Sequence, residues 1–216
     1  MIAHFIKNYE PMLMLLAEHL YLVVLSMILS LLLAMPLGVL AAGSKRLSAA
    51  VLFFWGVVYT IPSLALFSFM LPAFGLGKIT AIIVLILYNQ YILVRNIVTG
   101  LQSIDASIME AGYGMGLGAR HMLVKIQLPL ALPVILGGVR IATVSTISIA
   151  AIAAVIHAGG LGVLLFDGLR MNHLPKIFWG TLLASLLAYL ANEVLLAAEN
   201  KAIQKAGGAS SNRKKF

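Results

Sequence analysis

Five long apolar segments, each about the length of a membrane-spanning helix, constrain this chain more than any other feature. Along the 216 residues they cover about 20–42, 49–71, 79–101, 134–156 and 177–198. A helix needs about 20 mostly apolar residues to cross the hydrocarbon core of a bilayer. Hydrophobic residues make up 62% of the chain, far more than a soluble core of this size could bury. The sequence therefore predicts an all-α membrane protein with about five transmembrane helices.

Two shorter segments flank the predicted transmembrane domain of residues 20–200. Residues 1–19 are expected to form an amphipathic helix at the membrane surface. Residues 201–216 end in the small, polar and basic stretch GGASSNRKKF, which is typical of a flexible tail.

The distribution of lysine and arginine predicts that the N-terminus lies outside and the C-terminus inside. With this orientation ten basic residues lie inside: Lys45, Arg46, Arg95, Arg120, Lys125, Lys201, Lys205, Arg213, Lys214 and Lys215. Four lie outside: Lys7, Lys78, Arg170 and Lys176. Cytoplasmic loops carry an excess of basic residues. The loop of about 102–130, between the third and fourth spans, is therefore predicted to be cytoplasmic.

The first half of this loop has the pattern of a short helix that ends at a flexible corner. Ser107 and Glu110 have the spacing of a capping box, in which the serine caps the helix and the glutamate reaches back. The helix is expected to end among Gly114, Gly116 and Gly118.

The second half of the loop resumes helical spacing in the stretch ARHMLVKIQL. Met122 and Ile126 fall on one face of this second helix. Pro129 and Pro133 are then expected to break or bend the chain as it re-enters the membrane. The loop is therefore predicted to be compact and able to dock on a partner protein.

The same loop resembles the cytoplasmic loop of permease subunits of ATP-binding-cassette (ABC) importers. That family loop reads Glu-Ala-Ala, three residues, Gly, nine residues, Ile, one residue, Leu-Pro. The matching positions here are Glu110, Ala111, Gly112, Gly116, Ile126, Leu128 and Pro129. Every spacing agrees, and the one departure is Gly112, where the family usually has alanine. Glycine should weaken the short helix by about 1 kcal/mol. The alternative is an ordinary amphipathic loop at the membrane surface.

The resemblance implies the type I ABC importer permease fold and a set of partners. The seven matched residues would form the coupling helix, which sits in a groove of a cytoplasmic ABC ATPase dimer. A second permease subunit, identical or different, and an extracellular or periplasmic substrate-binding protein would complete the assembly in a bacterial or archaeal cell (inner) membrane. ATP and Mg would be used by the partner ATPase, and solute would cross by alternating access.

Other stretches are similar to osmoprotectant permeases, which carry glycine betaine, choline or carnitine. They are residues 59–88, the stretch VRNIVTGL and the glycine-rich stretch HAGGLG. Two positions depart from the pattern: Ile92 stands where proline is expected, and His157 stands where glycine is expected. The nearest alternative is a permease for methionine or another small amino acid or amine, which shares the size, the loop and a glycine-rich turn.

Five polar residues and one proline within the predicted spans are candidates for the translocation path: Thr60, Pro62, Ser63, Asn89, Gln90 and Ser145. Polar groups are costly in hydrocarbon unless they are paired or face water. The amides of Asn89 and Gln90 suit a path wall or interhelical hydrogen bonds equally well. Pro62 should bend the second span and free a backbone carbonyl. The hydroxyl run around Ser145 suits close helix packing better than a path.

Two further residues have an expected environment. Arg140, within the fourth span, is expected to reach lipid phosphate or to meet a carboxylate. His157 is expected to be a loop histidine with its hydrogen bonds satisfied rather than a ligand contact.

No pattern in the chain predicts catalysis, a cofactor or a metal site. The stretch GVLAAGSK nearly matches a phosphate-binding loop, but the lysine follows the serine and the stretch ends a membrane helix. The chain has no cysteine, and its five histidines are scattered. No basic stretch carries the interleaved aromatic residues of a nucleic-acid groove. The sequence therefore favours a non-catalytic subunit.

The rival from another class is a non-ABC secondary transporter or channel. Such a protein would need coupling carboxylates within its spans or an inverted repeat. Glu193, in the fifth span, is the best-placed acid, and an isolated carboxylate is weak support for this alternative.

Overall fold

The computed structural model describes residues 2–205, which form nine α-helices. They are α1 (Ile2–Ala42), α2 (Lys45–Thr60), α3 (Ser63–Phe74), α4 (Lys78–Gln102), α5 (Ala106–Gly114), α6 (Ala119–Met122), α7 (Leu128–Ile152), α8 (Gly162–Arg170) and α9 (Leu174–Lys205). A π-helical turn, Leu123–Gln127, joins α6 to α7, and a 3-10 turn, Ala153–Ile156, extends α7. Most of the predicted tail lies outside the described residues.

Four continuous helical segments of the described chain are long and apolar enough to cross a membrane: Asn8–Ala42, Lys78–Gln102, Ala119–Ile156 and Leu174–Lys205. The α2–α3 pair makes a fifth if it is counted as one span. Because each predicted span coincides with one of these segments or with this pair, the predicted all-α membrane fold is confirmed.

The first membrane helix begins earlier than the sequence predicts. Helix α1 starts at Ile2, bends at Asn8, where the backbone leaves helical geometry (φ −128°), and continues to Ala42. Met12 and His19 are almost fully buried. The second half of the predicted surface segment therefore packs within the helical bundle.

The second span is broken rather than bent at Pro62. Helices α2 and α3 meet at 95°. Proline has no N–H and disfavours helical geometry in the preceding residue, and Ile61 is accordingly extended (φ −65°, ψ 129°). The carbonyl of Ile61 accepts a hydrogen bond from the hydroxyl of Tyr88. The carbonyl that the missing N–H of Pro62 leaves free is that of Val58, four residues back, and it accepts the N–H of Ile61 instead (3.2 Å).

Helix α4 lies at the centre of the fold and packs against α1, α2, α3 and α7. Its buried face includes Leu85, Leu93 and Ile97, each with at most 1% exposure. A Cβ atom at Gly38 of α1 would lie 2.6 Å from Cγ2 of Ile97. The glycine therefore permits the close approach of α1 to α4 that this core requires.

The fold has two ends with different connections. At the loop end, which carries α5, the side chain of Gln102 donates to the carbonyl of Ala42 (3.2 Å) and to the hydroxyl of Ser48 (3.0 Å). At the opposite, turn end, the N–H of Gly77 donates to the carbonyl of Ile156 (2.8 Å). Each end is therefore tied across helices that are distant in sequence.

The prolines that precede the fourth span do not break the chain. Helix continues from Ala119 to Ile156, and the N–H of Leu128 bonds to the carbonyl of Leu123, five residues back. A π-turn is a local change in helical geometry at which a helix can kink without ending. Pro129 directly follows this turn, as the second residue of α7, and Pro133 lies inside α7. The expected break at these prolines is therefore wrong, whereas the bend that was the other expectation stays a prediction.

Two features at the periphery complete the architecture. Helix α8 packs against α9, and its nine residues were too short to stand out as a separate apolar segment. Almost all of α9 remains at least partly exposed, with Gly180 and Ala202 as its buried residues.

Candidate functional site

The loop helix α5 is capped by Asp105 rather than by Ser107. Oδ1 of Asp105 accepts the backbone N–H of Ser107 at 2.8 Å, and the helix begins at Ala106. This hydrogen bond lowers the pKa of the Asp105 carboxyl below its ordinary value. Glu110 then lies in the second turn and is exposed, too far along to reach back to the cap. The predicted capping box is therefore wrong, because the cap is Asp105, which satisfies the free N–H of Ser107, the second residue of the helix.

The corner after α5 depends on backbone conformation. Gly116 has φ +79°, in the left-handed region that side chains rarely adopt. A Cβ atom there would have nothing within 4 Å in this chain. The sequence correctly predicts a turn among these glycines. Glycine suits position 116 because of the positive φ, since no neighbouring atom would crowd a side chain there.

Gly112, the position that departs from the family pattern, is the contact point between the two halves of the loop. It is buried, and a Cβ atom there would lie 2.6 Å from Sδ of Met122 and 3.2 Å from Cδ1 of Ile126. Met122 has no exposed surface. The expected face of Met122 and Ile126 is therefore present, and the methionine fills the space that an alanine methyl would occupy.

The tip of the loop exposes apolar side chains at the loop end of the molecule. Ile108 is 40% exposed, Tyr113 54% and Met115 72%. Exposed apolar groups clustered on a polar surface mark docking sites. Glu110 and Ala111 lie on this exposed part of α5, whereas Leu128 is half-buried against the core and Pro129 is exposed at the start of α7. The seven predicted positions thus extend from the exposed loop to the start of a membrane helix, and their role in ATPase coupling stays a prediction.

Asn89 is the centre of a buried hydrogen-bond network between three membrane helices. Its Nδ2 donates to Oγ of Ser30 on α1 (3.2 Å), and its Oδ1 accepts from Oγ1 of Thr146 on α7 (2.8 Å). Asn89 is 2% exposed. These contacts favour interhelical bonding for Asn89, and its place on a path stays a prediction.

Gln90 is buried beside this network and keeps one unpaired atom. Its Nε2 donates to the carbonyls of Ser30 and Ile86, both at 3.3 Å. Within the described part of the chain its Oε1 has no hydrogen-bond partner. Gln90 therefore also joins α1 to α4.

The other predicted path residues lie nearer the surface of the single chain. Thr60 and Pro62 are exposed at the break between α2 and α3, and Ser63 is half-buried there. The hydroxyl of Thr60 donates to the carbonyl of Val57 (2.7 Å). Ser145 is half-buried on α7. The role of these four residues on a path stays a prediction.

Three tyrosines and an arginine form a cluster that the sequence did not indicate. The ring of Tyr59 on α2 lies 5.1 Å from that of Tyr91 and 5.9 Å from that of Tyr88, centre to centre. The guanidinium of Arg95 lies 5.8 Å from the Tyr91 ring centre and donates to its hydroxyl (3.1 Å). Tyr91 and Arg95 are four residues apart on α4, a helical pairing that could have been noticed. Tyr59 comes from another helix, about 30 residues earlier in the chain, so no local pattern indicates its approach.

Comparison with known proteins decides the family. Residues 34–200 match the family described as binding-protein-dependent transport system inner membrane component. This chain belongs to that family. The expectation of a multi-pass importer permease is thereby confirmed.

Two curated relatives of this family member are similar over most of both chains. The glycine betaine/carnitine/choline transport system permease protein OpuCB of Bacillus subtilis is 35% identical over 188 residues, 87% of each chain. The osmoprotectant import permease protein OsmW of Salmonella typhimurium is 40% identical over 183 residues, 82% of this chain and 85% of the relative.

A solved structure has the same fold. A chain of the MetNI methionine ABC transporter, in an inward-facing conformation, superposes with a TM-score of 0.80 at 22% identity. The superposition covers 89% of this permease and 98% of that chain. The type I importer permease fold is therefore confirmed.

The glycine-rich turn of this permease explains one departure from the osmoprotectant pattern. His157 has φ 61°, so it adopts the left-handed geometry for which glycine is suited. Its side chain is exposed and lines a cavity of about 270 Å³ with Asp167 and Arg170. No hydrogen bond within residues 2–205 shows it to be satisfied, so that expectation stays a prediction.

The same turn is held by the first helix through contacts that sequence reasoning missed. The N–H of Gly160 donates to Oε2 of Glu18 (3.2 Å), and that of Leu161 donates to Nδ1 of His19 (3.3 Å). The other oxygen of Glu18 accepts from Nζ of Lys78 (2.8 Å). The partners are up to 142 residues apart, so no local pattern could predict them.

Arg140 forms an ion pair with a carboxylate, which is one of the two environments expected for it. Its Nε donates to Oε2 of Glu199 (3.0 Å), and Nη1 donates to Oδ1 of Asn192 (3.2 Å). The pair joins α7 to α9 within the membrane-spanning part of the permease.

Proposed function

We propose that this permease carries osmoprotectants such as glycine betaine, choline or carnitine into a bacterial or archaeal cell. The observation that supports the substrate class is the similarity to OpuCB and OsmW, each above 30% identical over more than four-fifths of this chain. Their printed names specify glycine betaine, carnitine and choline, or osmoprotectants. The likeness to the methionine transporter is 22% identical and supports the fold alone.

The proposed assembly contains two permease subunits, a cytoplasmic ABC ATPase dimer and a substrate-binding protein outside the membrane. Five spans of one chain are too few to enclose a solute path easily, and α9 keeps a long exposed apolar face that includes Leu182, Leu186 and Val194. The exposed tip at Ile108 and Met115 suits the ATPase groove.

The proposed mechanism is alternating access driven by the partner ATPase. ATP binding with Mg closes the ATPase pair, the loop around Glu110 moves with it, and α7 transmits that motion to the membrane domain. Hydrolysis resets the loop. This chain is proposed to bind neither ATP nor Mg, because the near-match to a phosphate-binding loop ends α1, where Gly38 packs on Ile97 of α4 rather than following a strand.

The test is solute uptake in a strain that lacks other routes for these compounds. The permease is expressed with its ATPase and binding protein, and uptake of labelled glycine betaine, choline, carnitine and methionine is compared. We expect uptake of at least one quaternary amine, dependent on the ATPase. Cells with an ATP-hydrolysis-deficient ATPase provide the control.

Methionine uptake without quaternary-amine uptake would favour the alternative amino-acid permease. ATP turnover by this chain in a preparation proven free of ATPase subunits would contradict the non-catalytic role.

A further inference from the structure

Arg95 differs from Arg140, the arginine of α7, because no ion pair among the described residues involves it. Arg140, by contrast, is paired with Glu199. Arg95 lies seven residues before the end of α4, about 10 Å along the helix. A charged group at this depth is costly unless it faces water or an anion. Its exposed guanidinium is therefore available for an anionic ligand.

The aromatic rings beside Arg95 supply the opposite kind of contact. Tyr59 and Tyr91 are both partly exposed, and their rings pack 5.1 Å apart with a 32° tilt. Aromatic faces attract cations, and clusters of such rings recognise quaternary ammonium groups. The position of the Arg95 guanidinium over the Tyr91 ring shows that a cation can approach this ring.

A cavity of about 400 Å³ lies beside this cluster. Its wall is formed by Tyr91, Ile92, Arg95, Asn96, Thr99 and Ile141. Tyr91, Arg95 and Thr99 follow one another at intervals of four residues, so they share one face of α4. The cavity therefore combines a guanidinium, an aromatic ring and uncharged polar groups on a single helix face.

We propose that this cavity is a transient binding subsite for a zwitterionic quaternary amine on its way across the membrane. Arg95 contacts the carboxylate of the solute, and the exposed rings of Tyr91 and Tyr59 contact its methylated ammonium. This assignment rests on the proposed function and adds the residues that would hold the solute within the permease.

The first test compares solutes that differ in the carboxylate. Glycine betaine has one, and choline has a hydroxyl in its place. In the complete transporter with saturating binding protein, Arg95→Gln should lower the rate of glycine betaine uptake about tenfold, because a charge-assisted hydrogen bond is lost. Choline uptake should change less than about twofold, since choline makes no ionic contact with Arg95.

The tyrosine variants separate the ring from its hydroxyl. Tyr91→Leu should lower uptake of both solutes about fivefold or more, because each carries the ammonium. Tyr91→Phe keeps the ring and should retain most of the uptake of both. Arg46→Gln, at the exposed start of α2, and Tyr9→Leu, on the exposed start of α1, are matched controls and should leave uptake unchanged. Equal effects of Arg95→Gln on both solutes, or no effect, would overturn the assignment.

A second test measures occupancy without relying on transport rate. The native chain has no cysteine, so Thr99→Cys places a single thiol on the cavity wall. In the assembled complex, glycine betaine should slow labelling of this thiol by a small uncharged thiol reagent, and it should not slow labelling of Ser107→Cys in the loop. Failure of Thr99→Cys to react at all would mean that the second subunit fills the cavity, and labelling that betaine leaves unchanged would also contradict the proposal.

The two proposals fail in different ways. If the wild-type complex moves none of the quaternary amines, the proposed function fails. The wild-type complex could instead transport these solutes while Arg95→Gln affects glycine betaine and choline equally, or while Tyr91→Leu and Tyr91→Phe behave alike. In that case only the proposed subsite is contradicted.

Discussion

Arg140 and Glu199 form an ion pair that is largely shielded, with side-chain exposures of 27% and 19%. Removing one partner leaves the other charge without compensation in a weakly hydrated place. Glu199→Gln should lower the stability of the purified permease by about 1–3 kcal/mol, which thermal unfolding in detergent would detect as a lower Tm.

The matched control is the double variant Arg140→Met with Glu199→Met. Replacing both charges removes the desolvation cost together with the attraction, so this variant should recover most of the loss. A double variant that is less stable than Glu199→Gln would contradict this account.

Asp105 gives the loop that carries α5 a defined pH dependence. The backbone hydrogen bond from Ser107 lowers the Asp105 pKa from its ordinary value of 3.8. The unfolded loop therefore binds the proton more tightly, so the stabilisation from the cap is present above that value and is lost as the pH falls below it. At neutral pH Asp105→Asn should keep the cap and Asp105→Ala should lose it.

Co-purification of the ATPase at neutral pH measures this effect. Asp105→Ala should retain less ATPase than the wild type, and Asp105→Asn should retain a normal amount. Equal retention by all three proteins would show that the cap does not matter for docking.

His157 and the turn beside it show which structural properties the sequence can predict and which it cannot. The sequence marks it as an exception where glycine is expected, and its left-handed backbone explains why glycine suits that position. The contacts of Glu18 and His19 with the neighbouring glycine turn were not predictable, because they join residues more than 140 positions apart. Local chemistry is visible in a sequence, whereas the partner supplied by the fold is not.

The turn between α5 and α6 depends on the backbone conformation of a single residue. Gly116 has φ +79°, and a β-branched residue there should cost about 1–2 kcal/mol or more, whereas asparagine tolerates this region. Gly116→Val should therefore reduce ATPase association and coupled ATP hydrolysis, and Gly116→Asn should retain much of both.

Gly114→Ala is the control for this corner. Gly114 ends α5, and a Cβ atom there would meet nothing within 4 Å, so alanine should be neutral or stabilise the helix by up to about 1 kcal/mol. If Gly116→Val and Gly116→Asn behave alike, the positive φ is not what the corner requires.

The helices themselves were largely predictable, and the prolines were not. The apolar runs located every membrane-spanning segment because burial in lipid demands them. Pro62 breaks its span completely, yet Pro129 lies in a helix that continues to Ile156. The difference lies in the local backbone: Ile61 is extended before Pro62, whereas a π-turn precedes Pro129 and the chain stays helical. Neither feature can be predicted from the spacing of apolar residues.

At the scale of the whole molecule, the charge asymmetry predicts that α5 and the C-terminal tail lie in the cytoplasm. The structure places the start of α2 and the end of α4 at the same end as α5, since Gln102 bonds to Ala42 and Ser48 there. A cysteine introduced as Ser107→Cys should react with a membrane-impermeant reagent only after the membrane is opened. Labelling in intact cells would reverse the proposed orientation.

The unbroken helix from Ala119 to Ile156 has a consequence for leakage. Its 38 residues span about 57 Å as one continuous helix. We therefore expect its two ends to move together. At the turn end of this helix, the carbonyl of Ile156 accepts a hydrogen bond from the N–H of Gly77. At the loop end, the side chain of Met122 packs against Gly112. A passage open to both sides at once would require this helix to bend between these two contacts, and the π-turn Leu123–Gln127 lies between them, close to the loop end. We expect a stiffer turn there to slow the leak of accumulated solute when no ATP is being consumed.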